Sequence, residues 1–273
     1  MFLLPPDAIH VDRAMLTEID NCIKSIYRLI IFDEEHNSSD LLKRYLEAVE
    51  HLRVVLNIKN AQQEAQSIEE ARVYLDHLKD GMKLIVGEIA QQRSLDNPVD
   101  LFRLFRMIAP EAAERHPNHF RQTVVQFGPC LGAEPSEIQG LVTQLFDVLP
   151  EIRHPALRAL YVHHELVRIH PFVDGNGRVS RMAKNWLLMY ELYPPMFISG
   201  QGDRRRYISS MQASFLALQA KPFEVGEATR HFFEEELRRI RASAGFILDR
   251  MLRYPDMLFG GDDEQEFEPK LAE

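Results

Sequence analysis

Residues 170–181 read His170-Pro171-Phe172-Val173-Asp174-Gly175-Asn176-Gly177-Arg178-Val179-Ser180-Arg181. One short segment thus holds a histidine, a carboxylate, an amide, two glycines and two arginines. Gly175 and Gly177 permit positive φ and close backbone approach. A turn of that kind aims successive N–H groups inward and forms an anion nest. The nest is expected to run into a helix whose free N–H groups and positive dipole end favour phosphate. Arg178 and Arg181, three apart, are expected on one face of that helix's first turn, where guanidinium forks can grip phosphate oxygens. Asp174 offers the hard oxygen that Mg²⁺ takes beside nucleotide phosphates. His170 can be neutral near pH 7 and accept a proton. A lone Gly-x-Gly is an ordinary helix-connecting turn. Here base, acid, glycines and arginines converge, which points to a site holding a polyphosphate and a metal beside a base.

Working outward, apolar residues at helical spacing flank the segment over Ala156 to Ile169 and Met182 to Leu192. Further helices are expected over Ala14 to Phe32, over Leu41 to Leu56 behind a Ser39 cap, and from the Ser67–Glu70 capping box toward Ala90. Others are expected over Val99 to Ile108, Glu137 to Leu149, Asp203 to Leu218 and Val225 to Arg253. The convincing strand signal is Thr123-Val124-Val125-Gln126-Phe127, closed by Gly128-Pro129. The fold class expected is therefore all-α with a small β-hairpin and an N-terminal helical extension packed on the core. The domain reading is a helical region over 1–92, a main domain with C-terminal helices over 93–258, and an acidic, disordered tail over 259–273.

The chain has 273 residues, enough for a full core. A net charge of −9 argues against a nucleic-acid partner, which needs a basic face. It does not argue against ATP, for which a local cluster decides. The two cysteines, Cys22 and Cys130, have no metal-like spacing and suggest no disulfide framework, so a reducing, cytoplasmic setting is expected. The start, Met1-Phe2-Leu3-Leu4-Pro5-Pro6, lacks a signal-peptide pattern. No run approaches the eighteen or so apolar residues of a membrane span.

The order His-Pro-Phe-x-Asp-Gly-Asn-Gly-Arg-x-x-Arg resembles the signature loop of Fic (Fic/Doc) domains and fits it at every specified position. The resemblance extends to His163 in the helix before the loop, to Asn185 and Tyr193-Pro194-Pro195 after it, and to Phe120-Arg121 with the following strand, which looks like the family's flap hairpin. It covers about residues 75–240. It departs at Asn118, where the family often has Gly.

The resemblance implies a Fic fold and protein adenylyltransferase (AMPylation) activity, moving AMP from ATP to a Tyr, Ser or Thr hydroxyl of a target protein, which could be the chain itself. His170 would be the base and Asp174 the Mg²⁺ ligand. Gly175, Asn176, Gly177, Arg178 and Arg181 would bind the nucleotide, with Asn176 at the α-phosphate and both arginines on the β and γ groups. Phe172 would anchor the loop to the core. Tyr207 resembles a position that stacks near adenine, and a core aromatic is the competing reading. Thr123, Val124, Val125, Gln126 and Phe127 would order an extended target segment by strand addition. Fic proteins often carry an inhibitory glutamate that pairs with the second loop arginine. Glu64 in Asn60-Ala61-Gln62-Gln63-Glu64-Ala65 is the candidate by spacing, with Asn and Ala where the pattern has Ser/Thr and Gly/Asn. The alternatives are transfer of another nucleotide or phosphocholine, removal of AMP, and a non-catalytic protein-binding Fic module. Oligomeric state and delivery as a secreted effector stay open.

Overall fold

The computed structural model describes residues 1–31, 67–116, 119–196, 198, 200–220 and 225–253. The expected helix over 41–56, Asn118, Glu64 and the acidic tail lie outside those residues. The helices are α1 (Arg13–Ile31), α2 (Ile68–Ala90), α3 (Pro98–Ile108) and the single turn α4 (Pro110–Ala113). They continue with α5 (Ile138–Val148), α6 (Pro155–Ile169), α7 (Asn176–Tyr190), α8 (Gly200–Gln219) and α9 (Glu227–Arg253). Between α4 and α5 lies an antiparallel hairpin, β1 (Gln126–Phe127) and β2 (Cys130–Leu131), with Gln126 opposite Leu131 and Phe127 opposite Cys130.

Local chemistry sets the helix boundaries. Ser67 accepts from the Glu70 N–H at 3.1 Å, one half of the expected capping box. The other partner differs: a Glu70 carboxylate oxygen accepts from the Tyr74 hydroxyl at 2.7 Å. Asn97 caps α3 by accepting from the Asp100 N–H at 3.0 Å, with Pro98 at the first helical position. α7 ends where Leu192 turns left-handed at φ 60° and the Tyr193 N–H donates to the Leu188 carbonyl at 2.8 Å.

Two boundaries depart from the sequence expectation. α7 begins at Asn176, six residues before the apolar pattern at Met182, because Gly175 supplies a left-handed N-cap at φ 75° and the helix starts directly from the loop. Polar residues occupy that first turn, so hydrophobic periodicity does not register it. The strand is shorter than Thr123–Phe127. Arg121 takes the Thr123 carbonyl at 2.5 Å, and the last cross-strand bond runs from the Gly132 N–H to the Val125 carbonyl at 3.0 Å.

The core is built on α6 and α7, which pack along one another and are buried on nearly all faces. α2 and α3 cover α7, α5 covers α6, and α8 and α1 pack on α9. A helix buried all round normally lacks charge, so the polar residues of α6 must be satisfied internally. They are. Glu165 accepts from His164 Nδ1 at 2.7 Å and from Arg168 at 2.5 and 3.1 Å, while His164 Nε2 meets Ser214 Oγ at 2.9 Å. Arg168 and burial act oppositely on Glu165, and the charge pairing holds its pKa down to about 2. Burial keeps His164 neutral by lowering its pKa. The first residues lie against this cluster: the Leu4 N–H donates to Glu165 and Arg168 donates to the Phe2 carbonyl.

Candidate active site

The loop is held open by its neighbours. At the end of α6, His170 adopts a left-handed conformation, φ 54° and ψ 60°, while its N–H still donates to the Leu166 carbonyl at 3.0 Å. That backbone costs a non-glycine residue energy, so surrounding bonds must impose it. Arg121 supplies them. Its Nε donates to the His170 carbonyl at 2.6 Å, and its Nη2 to the Ala133 and Ile169 carbonyls at 2.6 and 3.1 Å. Its backbone N–H donates to the Pro171 carbonyl at 2.9 Å. Arg121 is 0% exposed, and one fork therefore ties the start of the hairpin to the start of the loop. Gly132 leaves the room: a Cβ there would lie 2.7 Å from Arg121 Nη2 and 3.3 Å from His170 Cβ.

The His170 ring is oriented on two sides. Nδ1 lies 3.2 Å from the Val167 carbonyl, which makes it the protonated nitrogen and leaves the Nε2 lone pair as acceptor. The Phe127 ring stacks on the imidazole, centroids 4.3 Å apart at 11°. Burial lowers its pKa to about 4, against the pull of Asp174 and the Val167 carbonyl, with Arg121 acting in the same direction as burial. His170 is thus neutral at pH 7, the form a general base requires.

Beyond the histidine, Phe172 anchors the loop as expected, stacked on Phe105 with centroids 3.9 Å apart and edge-on to Phe102 at 5.7 Å. Asp174 is exposed, and its Oδ1 accepts from the Gly175 N–H at 2.6 Å. Gly175 is required twice, by its φ of 75° and because a Cβ would lie 2.5 Å from the Ala109 Cβ. Gly177 instead falls within the first turn of α7, so one glycine and not two carries the left-handed turn.

Three side chains differ from their expected roles. The Asn176 amide is 4% exposed and clamps the loop on itself, accepting from the Phe172 N–H at 2.9 Å and donating to its carbonyl at 2.8 Å. It shapes the loop rather than facing a phosphate. Arg178 does not share the open face with Arg181. It is 3% exposed, donates to the Ile108 carbonyl at 3.0 Å and to Glu111 at 2.5 Å, and lies 3.8 Å from the Tyr74 ring centroid. Three residues along a helix is about 300° of rotation, and the packing of α2 and α4 captures one arginine and not the other. Arg181 is half-buried, and its charge helps hold the His163 pKa far down, after burial and Lys184. Tyr207 is 6% exposed, with its hydroxyl 3.0 Å from His163 Nε2. It is a core contact against α6, its ring stacked on His163 with centroids 5.7 Å apart, instead of an open stacking face.

Sequence reasoning missed Arg121, Glu111 and Tyr74 as site-building residues. Arg121 stood in the Phe-Arg pair before the strand, but nothing in a single chain signals that a charged side chain there is wholly buried. Glu111 and Tyr74 are distant in sequence from the arginine they hold.

The site can accept a proton at His170 Nε2 and present main-chain N–H groups at the start of α7 to an anion. Asp174 has one carboxylate oxygen engaged by Gly175 and sits exposed, so the other fits a Mg²⁺ ion, which takes one or two carboxylates with the rest of its shell from phosphates and water. Among the described residues no group of three or more His, Cys, Asp or Glu forms a metal cage.

A histidine-bearing loop joins two buried helices, with a hairpin laid on the histidine. Residues 98–188 match the family model for the Fic/DOC family. The protein adenylyltransferase Fic of Culex quinquefasciatus is 31% identical over 166 residues, 59% of this chain and 33% of the relative. The chain spans about a third of the length of the curated relatives it matches. Among solved structures, Fic-1 from C. elegans superposes with a TM-score of 0.60 at 18% identity, covering 88% of this chain and 73% of that one. IbpAFic2 in complex with adenylylated Cdc42 gives 0.52 at 15% identity, covering 85% and 70%. At those identities the structures establish the Fic fold.

Proposed function

We propose that this chain transfers AMP from ATP to a Tyr, Ser or Thr hydroxyl of a protein, with His170 as general base. The observation that carries this is the His170 imidazole: Nδ1 lies on the Val167 carbonyl, burial keeps the ring neutral, and Nε2 is left to accept. Support comes from curated relatives described as protein adenylyltransferase Fic and from the complex of IbpAFic2 with adenylylated Cdc42.

In this reaction Nε2 takes the hydroxyl proton as the oxygen attacks the α-phosphorus. The bond from that phosphorus to the bridging oxygen breaks, and pyrophosphate leaves. The N–H groups opening α7 and the Arg181 guanidinium balance charge on the phosphates. Asp174 would hold Mg²⁺, which when bound offsets negative charge on phosphate oxygens. Asn176 and Arg178 act indirectly, by shaping the loop and fixing the first turn of α7.

The test is incubation with ATP labelled at the α-phosphate and Mg²⁺, beside His170→Ala, with mass spectrometry of the product. Added AMP on protein in the wild type and its loss in the variant is the expected result. An added group other than AMP, or equal labelling by both, overturns the proposal.

A further inference from the structure

The hairpin is gripped by one face of α8. Gln212, Phe215 and Gln219 stand at helical spacing on that face. The Gln212 amide lies against the turn, 2.6 Å from where a Cβ of Gly128 would be. Phe215 is fully buried and meets the Phe127 ring edge-on, centroids 6.0 Å apart at 87°. Gln219 grips the backbone of Leu131 at both ends. Its Oε1 accepts from the Leu131 N–H at 3.4 Å, and its Nε2 donates to the Leu131 carbonyl at 2.7 Å.

Register explains why Leu131 is available. Gly132 donates to the Val125 carbonyl, so Val125 and Gly132 form a hydrogen-bonded pair, and by alternation Gln126 and Leu131 form a non-hydrogen-bonded one. The N–H and C=O groups of such a pair point away from each other, out of the two edges of the hairpin. On the β2 edge, Gln219 supplies the donor and acceptor that a neighbouring strand would supply. On the β1 edge the described residues add no third strand, and Val124 and Gln126 are exposed there.

We propose that Gln219 is a strand mimic that closes the β2 edge, so that an acceptor segment can add along β1 alone. With Gln212 and Phe215 it seats Phe127 on the His170 ring. Gln219 is thus a positioning residue for the protein acceptor. The acceptor role rests on the adenylylation reading above, while the clamp stands on geometry by itself. The consequence is polarity: an antiparallel partner on the Gln126 edge runs one way past His170, and its hydroxyl-bearing residue is placed by pairing to Gln126.

Two measurements test this on the full chain, with Gln219→Leu and with Gln219→Glu, which keeps length but loses the donor to the Leu131 carbonyl. Amide exchange at Leu131 should accelerate about tenfold in Gln219→Leu, the effect of losing an ordinary hydrogen bond, while in Gln219→Glu a carboxylate oxygen still accepts the Leu131 N–H. With an inactive His170→Ala copy of the chain as acceptor, KM for the acceptor should rise several-fold while ATP affinity by calorimetry stays at the wild-type value. Unchanged exchange at Leu131 in Gln219→Leu overturns the clamp. Faster exchange with an unchanged acceptor KM overturns the positioning role. A wild type that labels neither itself nor this acceptor removes the positioning role together with the adenylylation reading, and exchange at Leu131 still decides the clamp.

Discussion

Phe127 lies flat on His170, centroids 4.3 Å apart and 11° from parallel, so the hairpin and the loop share one rigid contact at the imidazole. With Nδ1 on the Val167 carbonyl, the stack leaves the ring little freedom to rotate. Phe127→Ala is expected to slow AMP transfer by about tenfold through lost orientation. It should also raise the pKa of His170 toward 6.5, because the ring gains water. A pH–rate profile of the variant checks both: an acid limb that stays near pH 4 would show that Phe127 does not desolvate the histidine.

The wild-type profile follows from the same burial. His170 is pushed down to about 4, so transfer is expected to hold from pH 8 to about 5.5 and to fall only as pH nears that value. Stability changes in the same range. Burial also lowers the pKa values of His154, His163 and His164, so the unfolded chain binds more protons than the folded one below about 6.5. Stability is therefore expected to decline as pH drops from 6.5 toward 4. The contribution of Glu165, held down to about 2, survives to lower pH and is lost between about 4.5 and 2. Urea midpoints at pH 7.5, 5.5 and 4.5 measure the trend, and a midpoint rising on acidification would contradict it.

Arg121 connects four carbonyls, those of Thr123, Ala133, Ile169 and His170. Arg121→Met leaves buried acceptors unpaired, at roughly 1–3 kcal/mol for such a group, and is expected to destabilise the chain by about 3 kcal/mol. Arg121→Lys should recover little, because one ammonium cannot span the planar fork. Gly132→Ala, which drives a methyl into Arg121 Nη2, is expected to reproduce a milder form of the defect. Denaturant titration ranks the three.

Arg178 and Arg181 should separate cleanly. Arg178→Ala removes a buried guanidinium from Ile108, Glu111 and the Tyr74 ring, and is expected to cost about 2 kcal/mol, discounted because Glu111 is 37% exposed. Arg181→Ala should change stability by less than about 1 kcal/mol and weaken ATP binding roughly tenfold. Calorimetric ATP titration together with thermal melts tests the contrast; a stable Arg178→Ala protein that has lost ATP affinity would return Arg178 to the phosphates.

Phe172→Ala is expected to cost about 3–5 kcal/mol, the range for deleting a buried aromatic, since its ring is 1% exposed and stacked on Phe105. Phe172→Leu, which keeps most of the volume, should retain more stability and more transfer activity, as measured by melting temperature and label incorporation.

What could be read from the chain alone was what is local. Apolar spacing located α1, α3, α5, α6, α8 and α9, and the Ser67 capping box marked a helix start, because helical periodicity and capping act over three or four residues. The residue types of 170–181 announced an anion site with a base, since that chemistry is written in one segment. Orientation was not. Arg178 and Arg181 carry the same side chain three residues apart, and only the packing of α2 and α4 against α7 turns one into the core and leaves the other half-buried at the loop. Gly175 and Gly177 look equivalent until Ala109 is placed against one of them. Arg121 reads as a surface charge until four carbonyls from separate segments converge on it. Such partners lie tens of residues away in sequence, and the free energy that selects them is that of burying polar groups fully paired, which exists only once the helices have packed.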